Sequence, residues 1–391
     1  MSARPLTIAV IAGEVSGDLL GADLIAALKV RHGGPVDIIG VGGDALERQG
    51  LTSLFDFSEL SVMGLTQVLS RLPRFIKLIG LTARAIIAAK PDLLLIVDSP
   101  DFTHRVAKKV RQALPDLPVV DYVCPSVWAW KEYRAKAMLA YVDAVLAVLP
   151  FEPQVMRDLG GPPTHFVGHR LATNENLLST RALRAQRPAR ALDERKTILL
   201  LPGSRGAEIN ALLPVFGAVM QEFVARNGPT RFLLPTVSRQ EARVRAMIAD
   251  WALKPDVLMG EDAKWQAFAE ADAAIAASGT VILELALASV PVVSTYKADF
   301  LMRMVSHRIK TWTGALPNLI ADYPVVPEYL NEHVRPGNLM RMAERLAADT
   351  LQRRAMLEGF DLVWQRLQTE RPSGDEGSRI VLELLARRGR L

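Results

Sequence analysis

Short apolar runs, each closed by glycine, proline or a polar turn, alternate along most of the chain with stretches whose apolar residues recur at helical spacing. Residues 6–12, 37–41, 91–98, 118–123 and 142–149 read as buried strands in the first half, and 197–201, 232–235, 257–259, 273–277 and 290–294 in the second. Continuous apolar strands with helices between them fit a parallel sheet, because each crossover lays a helix over one of its faces. The pattern therefore predicts an α/β protein. It starts afresh near residue 196, and each half opens on a strand with a glycine-rich turn behind it. That predicts two similar Rossmann-like domains facing a cleft. The expected boundaries are 1–172, an arginine-rich interdomain linker with its flanking helix at 173–195, and 196–365. A helical tail at 366–391 is set off by Arg371-Pro372-Ser373-Gly374. That break leaves the tail free to pack on the N-terminal domain or on a partner subunit, so a homodimer stays open.

One helical stretch departs from the common pattern. Between Leu60 and Lys90, Val62, Met63, Leu69, Leu72, Phe75 and Ile76 are interleaved with Arg71, Arg74 and Lys77, and no acidic residue lies between Glu59 and Asp92. An apolar face beside a cationic one suits a helix lying on anionic lipid, or a groove for an acylated substrate. The same periodicity also describes a helix with one core face and one solvated face.

Composition narrows the class. A chain of 391 residues, half of them apolar, can bury two cores, and a net charge of +5 favours anionic partners. Cys124 is the lone cysteine, which excludes an intramolecular disulfide and a cysteine metal cluster. No signal-peptide pattern precedes the first strand, and no run approaches about 18 uninterrupted apolar residues. A soluble or peripheral cytoplasmic protein is expected.

Candidate chemistry lies where strands end, since open α/β sheets bind ligands beyond the carboxyl ends of their strands. The first turn, Gly13-Glu14-Val15-Ser16-Gly17-Asp18, lacks the G-x-G-x-x-G spacing of dinucleotide folds, and its carboxylates would repel a pyrophosphate. It reads as a site for sugar hydroxyls or a catalytic carboxylate, or as plain helix capping. Asp98 ends the strongest strand and is a candidate general base, with N-capping as its plainer role. Trp128 and Trp130, with Lys131, Arg134 and Lys136, form an aromatic, basic loop that could stack on a sugar or simply pack. Gly203-Ser204-Arg205-Gly206 offers N–H donors and a guanidinium for a diphosphate, without the Lys-Ser/Thr pair of a Walker loop. Gly279 permits close backbone approach and Thr280 opens a helix whose free N–H groups favour an anion. Glu284, four residues on, shares that helical face and suits ribose hydroxyls. An ordinary βαβ turn has the same pattern. Asn318 could close the cleft with its amide, or cap its own loop.

Taken in order, AGEVSGDLLG, VMGL, DSPDF, YVCPSVWAW, LPFEP, FVGH, LPGSRGAEI, SGTVILELALASVPVV and LPNLI resemble the lipid-A-disaccharide synthase family over nearly the whole chain. Residues 173–195 and those beyond 338 carry no matching motif. The resemblance implies a GT-B-like, inverting glycosyltransferase without metal or cofactor. It would join UDP-2,3-diacylglucosamine to 2,3-diacylglucosamine 1-phosphate at the cytoplasmic face of an anionic membrane. It implies Asp98 as the base and Glu14, Ser16 and Asp18 on the acyl-sugar side. Ser204, Arg205, Gly279, Thr280, Glu284 and Asn318 would hold UDP. The competing readings are a peptidoglycan UDP-N-acetylglucosamine transferase or a 2-epimerase of the same architecture, and a basic nucleic-acid-binding protein. Dispersed basic residues and the lack of a nucleic-acid motif count against the last, so no nucleic-acid partner is expected. The missing G-x-G-x-x-G counts against an NAD oxidoreductase.

Overall fold

The structure, a computed structural model, describes residues 4–60, 65–191, 193–298 and 309–391, with backbone alone for 65–72. It divides into two compact units, Met1–Arg170 with Thr369–Leu391, and Leu171–Gln368.

In the first unit six parallel strands, β1 (Leu6–Ala12), β2 (Val36–Val41), β3 (Leu93–Val97), β4 (Val119–Tyr122), β5 (Ala144–Ala147) and β6 (Thr164–Phe166), run in the order β2-β1-β3-β4-β5-β6. The period of two in a strand divides β3 cleanly. Leu93, Leu95 and Val97 enter the core on one face of the sheet, and Leu94 and Ile96 the core on the other. The helix Val15–His32 crosses the end of β3 closely because it carries glycine where it touches. A Cβ added at Gly17 would lie 3.3 Å from the Val97 carbonyl oxygen, and one at Gly21 would lie 3.5 Å from both Leu46 and Val97 side chains. The spaced glycines of the first turn are therefore packing glycines. The tail helix Ser373–Arg387 lies against Val15–His32 in this same unit. Its Ile380, Val381 and Leu385 join the core of Leu24, Leu28, Val120 and Leu146.

The second unit repeats the plan with β7 (Thr197–Leu201), β8 (Arg231–Thr236), β9 (Asp256–Met259), β10 (Ala273–Ala277), β11 (Val292–Tyr296) and β12 (Glu328–Leu330), ordered β12-β11-β10-β7-β8-β9 and parallel. The stretch expected as a linker, 173–195, is built into this unit. In the helix Glu175–Ala185, buried Arg184 donates from Nε to the Ser289 carbonyl at 2.9 Å and from Nη1 to those of Phe268 and Ala271 at 2.9 and 2.6 Å. Arg187 pairs with Asp272 at 2.7 Å. Its polar composition reflects arginines that saturate carbonyls at the sheet's amino edge, which a hydropathy reading takes for a linker.

Among the described residues one helix, Gly206–Asn227, is long and apolar enough by composition to cross a membrane. Its Ile209, Leu212, Leu213, Phe216, Val219, Met220 and Phe223 are buried within the second unit, so it serves as a core helix there.

Candidate functional site

In the second sheet the chain leaves β7 toward β8 on one side and returns to β10 on the other, so the strand order reverses between β7 and β10. Helices leaving neighbouring strands on opposite faces open a crevice at such a point. A cavity of about 650 Å³ lies there, lined by Gly203, Ser204, Arg205, Gly279, Thr280 and Glu284 among others. Five residues expected at a UDP site, Ser204, Arg205, Gly279, Thr280 and Glu284, thus meet in one pocket although some 75 positions separate the two motifs. The helices Gly206–Asn227 and Thr280–Leu287 both begin at its wall, and a helix N-terminus directs its N–H groups and dipole toward an anion. A Cβ at Gly279 would meet nothing within 4 Å, so the glycine leaves open room on the pocket side. Gly203 is different: its φ is +110° and a Cβ would lie 2.4 Å from a Glu208 carboxylate oxygen.

Arg205 lines the pocket but its guanidinium reaches Glu208 at 3.2 Å, and its side chain is 62% exposed. Glu208 also accepts from the Arg205 N–H at 3.3 Å, which caps the helix. The guanidinium is thus parked beside the pocket, on a long stem that can reorient toward an anion. The sequence reading missed Lys264. Its Nζ lies 3.3 Å from Glu284 and 2.8 Å from Glu261, all three on the pocket wall. Burial pushes the Glu284 carboxyl up, and the Lys264 ammonium opposes that shift. A charged first turn, Glu261-Asp262-Ala263-Lys264, reads in sequence as an ordinary solvated helix start, so nothing there signalled a pocket.

In the first unit the reversal falls between β1 and β3, and the turns after both strands touch. A Cβ on Gly13 would lie 2.4 Å from Ser99 Oγ, and one on Gly17 would lie 3.6 Å from the Asp98 Cβ. Glu14 and Ser16, between those two glycines, are exposed. Asp98 and Ser99 have φ of +53° and +46°, and Val123 at the end of neighbouring β4 has φ of +83°. Left-handed backbone at non-glycine residues is strained, most of all at a β-branched valine, and such strain gathers at functional sites. The Asp98 turn is held by its own contacts. Its Oδ1 accepts from the Ser99 N–H at 2.7 Å, and Thr103 Oγ1 donates to the Asp98 carbonyl at 2.8 Å. Burial raises the Asp98 carboxyl above its ordinary range, the Ser99 bond opposes this, and the Asp121 carboxylate adds to it. Asp121 itself is buried on β4, with His104 Nε2 at 3.2 Å and Tyr141 OH on the other ring nitrogen at 3.0 Å.

Two expected site residues are occupied by the fold. Asp18, placed by sequence on the sugar side, is buried, and its oxygens accept from the N–H groups of Gly43, Ala45 and Leu46 at 2.7, 2.9 and 3.3 Å. It caps the short helix Asp44–Glu47, a long-range partner that no local spacing reveals. Asn318, expected to line the UDP side, is 1% exposed and is not among the pocket residues. Its Oδ1 accepts from Val325 and Val326 at 2.9 and 2.7 Å, and its Nδ2 donates to Thr313 Oγ1 at 3.1 Å and the Val326 carbonyl at 3.0 Å. The plainer alternative for this residue is what the structure holds. Trp128 also packs: its Nε1 donates to buried Glu152 at 3.3 Å, which ties two motifs together, and burial pushes that carboxyl up to about 8.

The amphipathic stretch is a helix, Leu65–Ala89. Val62 and Met63 lie outside the described residues, as do the side chains of Leu69, Arg71 and Leu72. Phe75 turns inward, 5.4 Å from the Phe102 ring, while Ile76 is 56% exposed beside exposed Lys77. Arg74 donates from Nε and Nη2 to the two carboxylate oxygens of Glu59, at 2.8 and 2.9 Å, so the cationic face is less charged than its sequence suggested.

Residues 8–376 match the family model for lipid-A-disaccharide synthetase. A lipid-A-disaccharide synthase of Rhodopseudomonas palustris strain HaA2 is 45% identical over 96% of this chain and 95% of its own length. That of Rhodospirillum centenum is 36% identical over 98% and 96%. Among solved structures, MurG of Acinetobacter baumannii superposes with a TM-score of 0.56 at 15% identity, covering 98% of this chain and 99% of its own. The calicheamicin glycosyltransferase CalG4 gives 0.59 at 15%, over the full length of both. A Staphylococcus aureus MnaA–UDP complex gives 0.58 at 14%, over 99% of this chain and 98% of its own. At such identity the structural matches speak for the fold, two parallel sheets of the GT-B type. Family match, close relatives and fold agree: the chain belongs to the lipid-A-disaccharide synthase family, hexosyltransferases built on the GT-B fold.

Proposed function

We propose that the protein condenses UDP-2,3-diacylglucosamine with 2,3-diacylglucosamine 1-phosphate, releasing UDP and a β-1,6-linked disaccharide 1-phosphate. The observation that carries this reading is the pocket at the β7/β10 reversal, which gathers two helix N-termini, Arg205 and a carboxylate. In the reaction the acceptor's 6-oxygen attacks the donor sugar's C1 from the face opposite the diphosphate. The C1–O bond to UDP breaks with its electron pair staying on the phosphate, and the hydroxyl proton passes to Asp98. A carboxyl raised by burial holds that proton better than an ordinary aspartate would. Negative charge grows on the departing β-phosphate, where the N–H groups following Arg205 and Gly279 stabilise it without reorganising and Arg205 adds a cation. Glu284 accepts from the ribose hydroxyls. Glu14 and Ser16 take part on the acyl-sugar side, and Asp18 acts only by tying their helix to the turn at residues 43–46 that it caps.

Acylated substrates leave the membrane with difficulty, so we place the protein on the anionic cytoplasmic surface of a membrane, docked through the Leu65–Ala89 helix with Ile76 and Lys77 outward. The alternative is a UDP-N-acetylglucosamine enzyme of the same fold, a peptidoglycan transferase or a 2-epimerase. Mass spectrometry of products decides between them. UDP-diacylglucosamine with the sugar 1-phosphate should yield the tetraacyl disaccharide phosphate, and UDP-N-acetylglucosamine alone should come back unchanged. Epimerised sugar, or no disaccharide, would sink the assignment.

A further inference from the structure

Glu284 stands in a corner of the pocket whose charge differs from the rest. Lys264 Nζ is 3.3 Å from Glu284 and 2.8 Å from Glu261, and it sits 4.7 Å from the centre of the Trp265 ring. The ammonium is thus held from three directions, and the Lys264 side chain is 19% exposed where that of Glu261 is 71% exposed. Two carboxylates around one ammonium leave this corner with a net negative charge, the wrong sign for phosphate and the right one for hydroxyl donors. Phosphate has other provision, at the starts of Gly206–Asn227 and Thr280–Leu287 and at Arg205. A carboxylate has lone pairs for about four donors, so one ammonium at 3.3 Å leaves room for a vicinal diol.

We propose that Lys264 sets the pocket's preference for ribose over deoxyribose, by fixing the Glu284 carboxylate in its ionised form and orientation for the sugar's hydroxyls. The proposal rests on the nucleotide reading of this pocket. Burial alone drives Glu284 toward its protonated form, and the neighbouring Glu261 drives it the same way; Lys264 works against both. The other charged groups lining the cavity are Arg205 and Glu208, paired with each other at 3.2 Å. A protonated Glu284 would gain one O–H donor and lose acceptor capacity at that oxygen, which loosens its grip on a diol.

The test is calorimetric titration of the full chain with UDP and with 2′-deoxy-UDP, between pH 6 and pH 9, for the native protein, Lys264→Met and Lys264→Arg. A hydrogen bond to a charged acceptor supports a native preference for UDP of about tenfold or more. In Lys264→Met the preference should shrink most at the acid end of the range, with UDP losing more affinity than 2′-deoxy-UDP, and it should recover as pH rises. Lys264→Arg should keep it. If Lys264→Met weakens both ligands alike and the preference survives, Lys264 is a phosphate or packing residue and the proposal falls. If the native protein binds neither ligand, the nucleotide reading itself fails, a result separate from the first.

Discussion

Asp98 shows how one residue can be placed against the interest of the fold. It sits in left-handed backbone and in surroundings that raise its carboxyl. A carboxyl whose folded pKa lies above its unfolded value takes up a proton more readily when folded. Stability therefore falls as pH rises from the ordinary range through the folded value, and the whole penalty is present above that value. Asparagine tolerates left-handed backbone and carries no charge. Asp98→Asn should abolish disaccharide formation, by 100-fold or more on the scale of about 10²–10⁴ for a lost general base, while UDP binding persists. Its melting temperature should stay level or rise. The native rate should decline on the acid side at a pH above the ordinary carboxylate range. A variant that still turns over, or that melts well below the native protein, removes Asp98 from this role. Asp18 and Asn318 teach the opposite lesson. Both are polar residues in motif positions, and both are consumed by backbone groups that the sequence keeps far from sight or disguises as a loop.

At the scale of elements, apolar periodicity located ten of the twelve strands. β6 (Thr164–Phe166) and β12 (Glu328–Leu330) were missed because they are three-residue edge strands, half-buried, with no apolar run to announce them. The helix Leu65–Ala89 was legible as amphipathic, but its partition between core and surface was not. Phe75 packs on Phe102 and Arg74 pairs with Glu59, while neighbouring Ile76 and Lys77 are exposed, as is Arg84 two turns on. Lys77→Glu with Ile76→Ser should leave the fold intact. A basic residue near an anionic surface contributes about 1 kcal/mol, so reversing one charge swings about 2 kcal/mol, and the partition onto anionic vesicles should drop more than tenfold. Unchanged co-sedimentation would return this face to an ordinary solvated surface.

For the molecule as a whole, the chain enters the second unit after Arg170 and comes back to the first at Thr369. The returning segment closes a core, since Ile380, Val381 and Leu385 complete the cluster around Leu24 and Leu146, and Arg31 reaches Asp375 at 2.5 Å. Each of those apolar side chains contributes about 1.5–3 kcal/mol when fully buried, a sum comparable to the total stability of many domains. A chain ending at residue 368 should lose the cooperative melting of its first unit and all transferase activity, yet still bind UDP through the second. Native-like melting of that truncated chain would show the tail to be dispensable.

The alternation of apolar runs with helical spacing determined the α/β class and the restart of the pattern in the second half, because both follow from periodicities of two and of 3.6 carried by the residues themselves. Local motifs also named the groups able to meet a diphosphate. Tertiary structure decided which of them share a cavity, since that depends on strand order: β10 returns beside β7 and brings Gly279, Thr280 and Glu284 to Ser204 and Arg205. It decided as well which polar residues were already spent, Asp18 on Gly43 and Ala45 and Asn318 on Val325 and Val326. It brought in Lys264, whose significance comes wholly from two carboxylates, one of them on another helix. Hydrogen bonds and ion pairs reach only about 3 Å, and such proximity is a property of the folded chain.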